Sequence, residues 1–142
     1  MALTLNHAKS PETTITHGAD ALVREFLAGG TLVAGDVMAF DTSQTGEDQT
    51  KYVVQGGLNG YAVGVALEAA TSGGVVRVLV GGYCEGVNAS GGGTIGAGDS
   101  LTAIASGAVD VYAAAAVDPV LAVALDDESG SAVTLYWFPT VI

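Results

Sequence analysis

Short runs of alternating hydrophobic and polar residues fill most of this chain, and clusters of Gly, Asp, Ser and Asn separate the runs. Period-two alternation over runs of this length predicts β-strands, whereas an amphipathic helix needs longer stretches with a period near 3.6. Asp118-Pro119 ends the run of four alanines at 113–116, which excludes a long helix there. The predicted strands are 21–27, 36–40, 50–54, 61–67, 75–80, 101–104, 109–113, 120–125 and 132–138.

An internal repeat organises these strands. GTLVAGD at 30–36 returns as GTIGAGD at 93–99, VGVALE at 63–68 is echoed by LAVALD at 121–126, and SGGVV at 72–76 by SGSAV at 129–133. In each Ala-Gly-Asp element, Gly supplies the positive φ of a turn and Asp accepts backbone hydrogen bonds as a strand begins. The sequence therefore predicts two diverged copies, at about 30–87 and 93–142, with internal pseudo-twofold symmetry.

Neither copy can bury both faces of its own sheet, so the two should pack into one body. We expect an all-β fold, a small β-barrel or β-sandwich-like domain over residues 21–142, preceded by an extended N-terminal arm at 1–20. The arm is rich in Thr and poor in apolar mass, and Pro11 disfavours a helix in it. Its extended part, suited to adding a strand to another chain's sheet, comprises Glu12, Thr13, Thr14, Ile15 and Thr16.

Composition restricts the partners. Only four Lys and Arg stand against fifteen Asp and Glu, for a net charge of −11, while 49% of the residues are hydrophobic. The scattered cations cannot neutralise a run of phosphates, so nucleic acid and anionic membranes are not expected partners. The negative charge keeps an apolar, sheet-rich protein soluble.

Four motifs that resemble functional sites are better explained as architecture. The G-x-G-x-x-G match at 91–96 is followed by a turn and a strand, not by the helix that a dinucleotide site needs. A calcium loop beginning at Asp41 lacks its twelfth ligand, and the acids at 126–128 are not preserved in the first copy. His7 and His17 lie in the arm, where no scaffold positions them as a base or as metal ligands. We therefore predict no catalytic residues, no metal site and no cofactor.

The aromatic C-terminus, Tyr136-Trp137-Phe138, is the largest apolar cluster in the sequence. Consecutive strand residues point to opposite faces, so these side chains serve either the core or a subunit contact. The lone Cys84 is expected to be a small buried residue.

Taken together, these residues resemble the head decoration proteins of tailed bacteriophages, the small cement proteins of the capsid. The resemblance rests on the Thr-rich arm, GDVMAFD at 35–41, the strand at 63–68, the segment 75–83 and the closing segment 133–139. It implies a non-enzymatic virion protein, made in the host cytoplasm, that binds the outer capsid surface and stabilises the expanded head. It also implies a homotrimer whose arm orders against the major capsid protein.

Three other classes remain open at this point. A tail or baseplate subunit has the same composition, and a glycan-binding module of the virion would show an exposed aromatic platform. An enzyme is the least supported, because the acids have no positioned base or metal set beside them.

Overall fold

The computed structural model describes residues 15–56, 61–90, 94–104, 106–112 and 119–139, and its regular structure is almost entirely β-strand. The predicted all-β class is confirmed, and every predicted strand has a counterpart. The strands are β1 (Leu22–Ala28), β2 (Val37–Phe40), β3 (Tyr52–Gln55), β4 (Gly64–Ala66), β5 (Val75–Asn88), β6 (Ser100–Ile104), β7 (Ala108–Val111), β8 (Ala122–Ala124) and β9 (Ala132–Trp137), with a short 3-10 turn at Gly46–Thr50. Within the described residues, no helix is long and apolar enough to cross a membrane.

Strand β5 is the main departure from the sequence prediction, because it continues to Asn88 instead of ending near Val80. The glycines at 81, 82 and 86 read as turn residues in the sequence, but they lie inside the strand. Two of them have positive φ, +113° at Gly82 and +72° at Gly86, and the register of β5 shifts over this stretch. Glycine therefore lets one long strand change direction and belong to two barrels.

The first half of β5 closes a five-stranded barrel, here called the N-terminal barrel. Its strand order is β1-β3-β2-β4-β5, and β5 pairs back with β1. All neighbours are antiparallel except β1 and β3. Its interior is formed by the buried cluster of Phe26, Ala28, Leu32, Met38, Val53, Val63, Ala66, Val76, Val78 and Val80.

The second half of β5 begins a sheet with the same topology, here called the C-terminal barrel. Its order is β5-β9-β8-β6-β7, and each of these neighbouring pairs is antiparallel. It closes through a single parallel bridge between Ala89, just after β5, and Val109 of β7. β5 is thus both the last strand of one copy and the first strand of the next.

The Ala-Gly-Asp element folds identically in both copies. The Val33 amide donates to the Asp36 carboxylate at 2.9 Å, and the Gly96 amide donates to the Asp99 carboxylate at 2.8 Å. The glycine before each aspartate has a φ of +94° or +91°. Both turns therefore have the geometry that the sequence predicts.

The two barrels fill their interiors with different side chains at equivalent positions. Relative to the N-terminal barrel, the C-terminal barrel has smaller side chains at two of these positions and a larger one at a third, so that the total volume is roughly kept. The exchanged sets are Phe26, Phe40 and Val80 in the N-terminal barrel, and Val87, Ala103 and Trp137 in the C-terminal barrel.

The seams of the two barrels differ. In the N-terminal barrel the Leu27 amide donates directly to the Lys51 carbonyl at 2.9 Å. The equivalent pair in the C-terminal barrel, Asn88 and Gly107, does not meet, because residues 35–37 lie between them. The carbonyl of residue 35 accepts from the Asn88 amide at 3.0 Å, and the amide of residue 37 donates to the Gly107 carbonyl at 2.8 Å. The first copy thus inserts its own turn into the seam of the second.

The inserted turn, residues 35–37, places the Asp36 carboxylate between the barrels, where Asp36 is 1% exposed. Besides the Val33 amide, this carboxylate accepts hydrogen bonds from the side chains of Asn88 at 2.8 Å and Gln55 at 3.2 Å. A buried carboxylate needs such donors to offset its lost hydration. The inserted turn therefore ties the two barrels into one unit.

Candidate docking surfaces

The predicted strand-forming arm lies partly on the body of the protein. Glu12, Thr13 and Thr14 are outside the described residues. The Ile15 amide donates to the Leu67 carbonyl at 3.0 Å, and the Thr16 carbonyl accepts from the Glu85 amide at 2.9 Å. Ile15 also packs against the core of the C-terminal barrel. These contacts bring residues 15 and 16 into the folded unit.

The expectation that His17 lacks a scaffold is wrong. His17 is 2% exposed and pairs with Cys84 in an antiparallel bridge beside β5. Its Nδ1 donates to the Gly18 carbonyl at 3.0 Å, and the Gly18 amide donates to the Tyr83 carbonyl at 3.0 Å. His7 lies outside the described residues. The sequence gives little sign of this, because residues 15–18 carry little apolar mass and His17 and Gly18 are buried only by the surface that they meet.

Cys84 is buried, as expected. This burial, and to a smaller extent the nearby charge of Glu85, raises the pKa of its thiol to about 12. The thiolate is the reactive form of cysteine, so a thiol with this pKa is a poor nucleophile near neutral pH. His17 and Cys84 are adjacent, but the imidazole faces a backbone carbonyl and the thiol stays protonated. The two side chains therefore contribute to the packing of the core, and neither is placed to act as a base or as a nucleophile.

The C-terminal aromatics divide between the core and the surface. Trp137 is fully buried inside the C-terminal barrel, whereas Tyr136 is 41% exposed and Phe138 is 42% exposed. The two exposed rings contact each other with centroids 6.3 Å apart. Of the three residues predicted as a candidate subunit contact, Tyr136 and Phe138 have exposed side chains and Trp137 does not.

A cleft of about 440 Å³ opens beside Tyr136. It is lined by the turn at residues 18–21 and by Gly82, Tyr83 and Tyr136. A side chain at Gly82 would meet the Ala21 Cα at 2.9 Å, so this turn rests directly on β5. The Tyr83 hydroxyl donates to Glu85 at 2.8 Å, a hydrogen bond that, together with burial, raises the pKa of the phenol.

The remaining motifs are structural where they are described. Asp41 accepts hydrogen bonds from the Ser43 hydroxyl at 2.6 Å and the Gln44 side chain at 3.1 Å, which lower its pKa. The Asp127 carboxylate accepts a hydrogen bond from the Ala97 amide at 2.9 Å and so supports the second Ala-Gly-Asp turn. In the described part of the chain, no three His, Cys, Asp or Glu side chains are grouped to hold a metal ion. Residues 91–93 of the glycine-rich loop lie outside it.

Two surface residues that the sequence reasoning did not single out are Val123 and Leu125, on the outer face of the C-terminal barrel. Leu125 is 47% exposed, and Val123 lies opposite Tyr136 in the sheet. Their strand was recognised as part of the repeat, and alternation alone places both on one face. That this face is uncovered could be learned only from the packing of the two barrels.

The fold is similar to a known structure of a phage protein. It matches the crystal structure of the N base of the head fiber gp8.5 in bacteriophage phi29 with a TM-score of 0.58. The match covers 86% of this chain and 98% of that chain, at 21% sequence identity. No protein-family model matches the sequence, and a search of curated proteins gives no significant match. At this identity the likeness establishes a shared fold.

Proposed function

We propose that this protein is a non-enzymatic structural component of a bacteriophage virion, and that it binds the outer surface of the head and stabilises the expanded shell. The observation that carries the proposal is the fold shared with the phi29 head fiber base, which extends over 98% of that base. The resemblance of the sequence to head decoration proteins is independent of that comparison and supports the same location.

Among the residues that the structure describes, the surroundings of His17 and Cys84 support a structural role. His17 is buried against a backbone carbonyl, and the pKa of Cys84 is raised to about 12. General base and nucleophilic catalysis need a side chain that is both reachable and in its reactive protonation state. Neither residue satisfies both requirements.

The arm acts as a clamp in this proposal, with the residues before Ile15 adding a strand to a sheet edge of the major capsid protein. The body forms a homotrimer, so that three arms engage the shell together. Linked arms raise the apparent affinity by orders of magnitude without strong single contacts. Light scattering of the purified protein over a range of concentrations tests the trimer, and a strict monomer would contradict it.

The decisive experiment is a binding assay with purified empty expanded heads of the phage. The full chain should sediment with the heads and raise their thermal disruption temperature. A variant lacking residues 1–14 should bind much more weakly, because it retains Ile15 and His17 and therefore the fold, but has lost the clamp. A deletion reaching residue 18 would be unsuitable, since it also removes contacts to β5.

A variant with residues 1–14 in scrambled order is the matched control, since it keeps the length and charge of the arm. Equal binding by the full chain and the truncated variant would rule out the clamp. Antibody labelling of intact virions tests the location separately, and signal on tails instead of heads would favour the tail or baseplate alternative.

A further inference from the structure

The two barrels carry an equivalent row of side chains on their outer faces. In the N-terminal barrel, Val37, Val65 and Leu79 lie side by side across β2, β4 and β5. The same register in the C-terminal barrel gives Ser100, Val123 and Tyr136 across β6, β8 and β9. Beyond these rows, the β4 and β8 segments continue to Leu67 and Leu125, which occupy matching places in VGVALE and LAVALD.

The row on the N-terminal barrel is completely buried. Val37, Val65, Leu67 and Leu79 are each 0% exposed, and they belong to the same hydrophobic cluster as the interior of the C-terminal barrel. Ile15 packs against this cluster, and its amide donates to the Leu67 carbonyl. The cover on this face thus includes an extended segment with an aliphatic side chain and a backbone hydrogen bond.

The equivalent row on the C-terminal barrel is open. Val123 is half-buried at its centre, Leu125 is 47% exposed, Tyr136 is 41% exposed, and Phe138 extends the apolar surface with 42%. The cleft beside Tyr136 contains Asp20, and Asp126 and Asp127 follow Leu125 directly in the chain. An apolar strip with an acidic rim is therefore presented where the first copy is covered.

We infer that this strip, Val123, Leu125, Tyr136 and Phe138, is a docking site for an extended aliphatic segment of a different protein, flanked by Lys or Arg. The covered N-terminal barrel provides the precedent for the occupant: the aliphatic side chain of Ile15 packs against the cluster that contains the row, and its amide donates to the carbonyl of Leu67, the residue equivalent to Leu125. The acidic rim selects basic flanking residues.

A second copy of this chain does not suit the strip, because its four Lys and Arg are scattered singly among fifteen Asp and Glu and offer no basic segment to the acidic rim; the subunit contacts of the proposed trimer therefore lie on other surfaces of the body. Two such acidic rims would repel each other on approach. The inference rests on the proposed function for its partner, which is the major protein of the phage head.

Site-specific photo-crosslinking on purified expanded heads tests this inference. A photoreactive benzoylphenylalanine at position 125 should crosslink to the major head protein. The same probe at Val75, which is 56% exposed and lies outside the strip, should give about tenfold less product. Crosslinking from position 125 to a second copy of this chain, or equal yields at both positions, would overturn the inference.

Binding measurements separate this inference from the proposed function. The double variant Leu125→Ser with Tyr136→Ser should bind heads about tenfold more weakly than the wild type, a loss concentrated in the dissociation rate, while Val75→Ser should bind as the wild type does. Wild-type binding combined with an unchanged double variant overturns the docking site and leaves the head location standing. Failure of the wild type itself to bind heads overturns both.

Discussion

The two turns share the Ala-Gly-Asp sequence, a glycine φ of +94° or +91° and the same side-chain hydrogen bond, yet they contribute differently to the fold. Asp36 is 1% exposed and is hydrogen-bonded to Asn88 and Gln55 from two other strands. Asp99 is partly exposed and supports its own turn through the Gly96 amide. Local structure is therefore a property of the motif, whereas its contribution to the assembly of the fold depends on what lies against it.

The largest expected effect concerns the exchanged core residues. Trp137→Ala should lower the free energy of unfolding by about 3–5 kcal/mol, because it leaves a large cavity in the interior of the C-terminal barrel. Val80→Ala, at the equivalent position, removes far less volume and should have a clearly smaller effect. Urea denaturation measures both variants, and equal losses would show that the two interiors are not filled in the complementary way described above.

The second effect concerns the buried carboxylate. Asp36→Ala leaves donors on Val33, Gln55 and Asn88 without their acceptor and should lower the stability by about 3 kcal/mol. Asp99→Ala, the matched change in the second copy, removes one partly exposed hydrogen bond and should lower it by about 1 kcal/mol. If the two variants unfold at the same urea concentration, the inserted turn does not join the barrels.

The third effect separates backbone strain from close contact. Gly35→Ala and Gly98→Ala both place a side chain at positive φ, at a shared cost of about 1–2 kcal/mol. At Gly35 a Cβ would also lie 2.5 Å from the Gly86 carbonyl oxygen, whereas at Gly98 nothing lies within 4 Å. Gly35→Ala should therefore lower the free energy of unfolding by about 1–3 kcal/mol more than Gly98→Ala does.

Thermal unfolding followed by circular dichroism compares the two glycine variants directly. A Gly35→Ala protein as stable as the Gly98→Ala protein would mean that the seam of the C-terminal barrel can open to accept the methyl group.

The smallest expected effect is a pH dependence of the free energy of unfolding that arises from Asp41 in the N-terminal barrel. Hydrogen bonds from Ser43 and Gln44 lower the pKa of Asp41 in the folded protein. Its stabilisation is therefore fully present above the pKa of an unfolded aspartate, about 3.9, and is lost as the pH falls through the lower folded value. The equivalent position in the C-terminal barrel, Ile104, does not titrate.

Urea midpoints measured from about pH 5 to about pH 2 test this dependence. The double variant Ser43→Ala with Gln44→Ala should be less stable than the wild type at the higher pH, and the gap should narrow as the pH falls. A gap that is constant with pH would assign the effect of these side chains to something other than the ionised Asp41.

Much of the fold was predictable because its signals are local. Alternation located every strand, and the GTLVAGD and GTIGAGD copies predicted two turns of one geometry. The predicted β5 is too short, because glycines such as Gly81, Gly82 and Gly86 are as typical of a turn as of a bulged strand, and the sequence does not distinguish the two. His17 was assigned to a free arm because a single imidazole carries no signal of the surface that buries it.

For the candidate surfaces, the sequence identified the aromatic cluster at 136–138 but not how its members divide. Alternation requires Trp137 to face away from Tyr136 and Phe138, and it does not say which face is the interior. Leu67 and Leu125 occupy the same place in the repeat, and only their surroundings make one 0% and the other 47% exposed.

The sequence by itself determined the strands, the duplication, the two turns and the acidic surface, because each of these depends on residues close together in the chain. The tertiary structure alone decided that the first turn enters the seam of the second barrel, that β5 serves both barrels, and that one outer row is covered while its counterpart is open. Two similar copies cannot occupy the same environment within one chain, so identical motifs acquire different partners once the copies pack against each other.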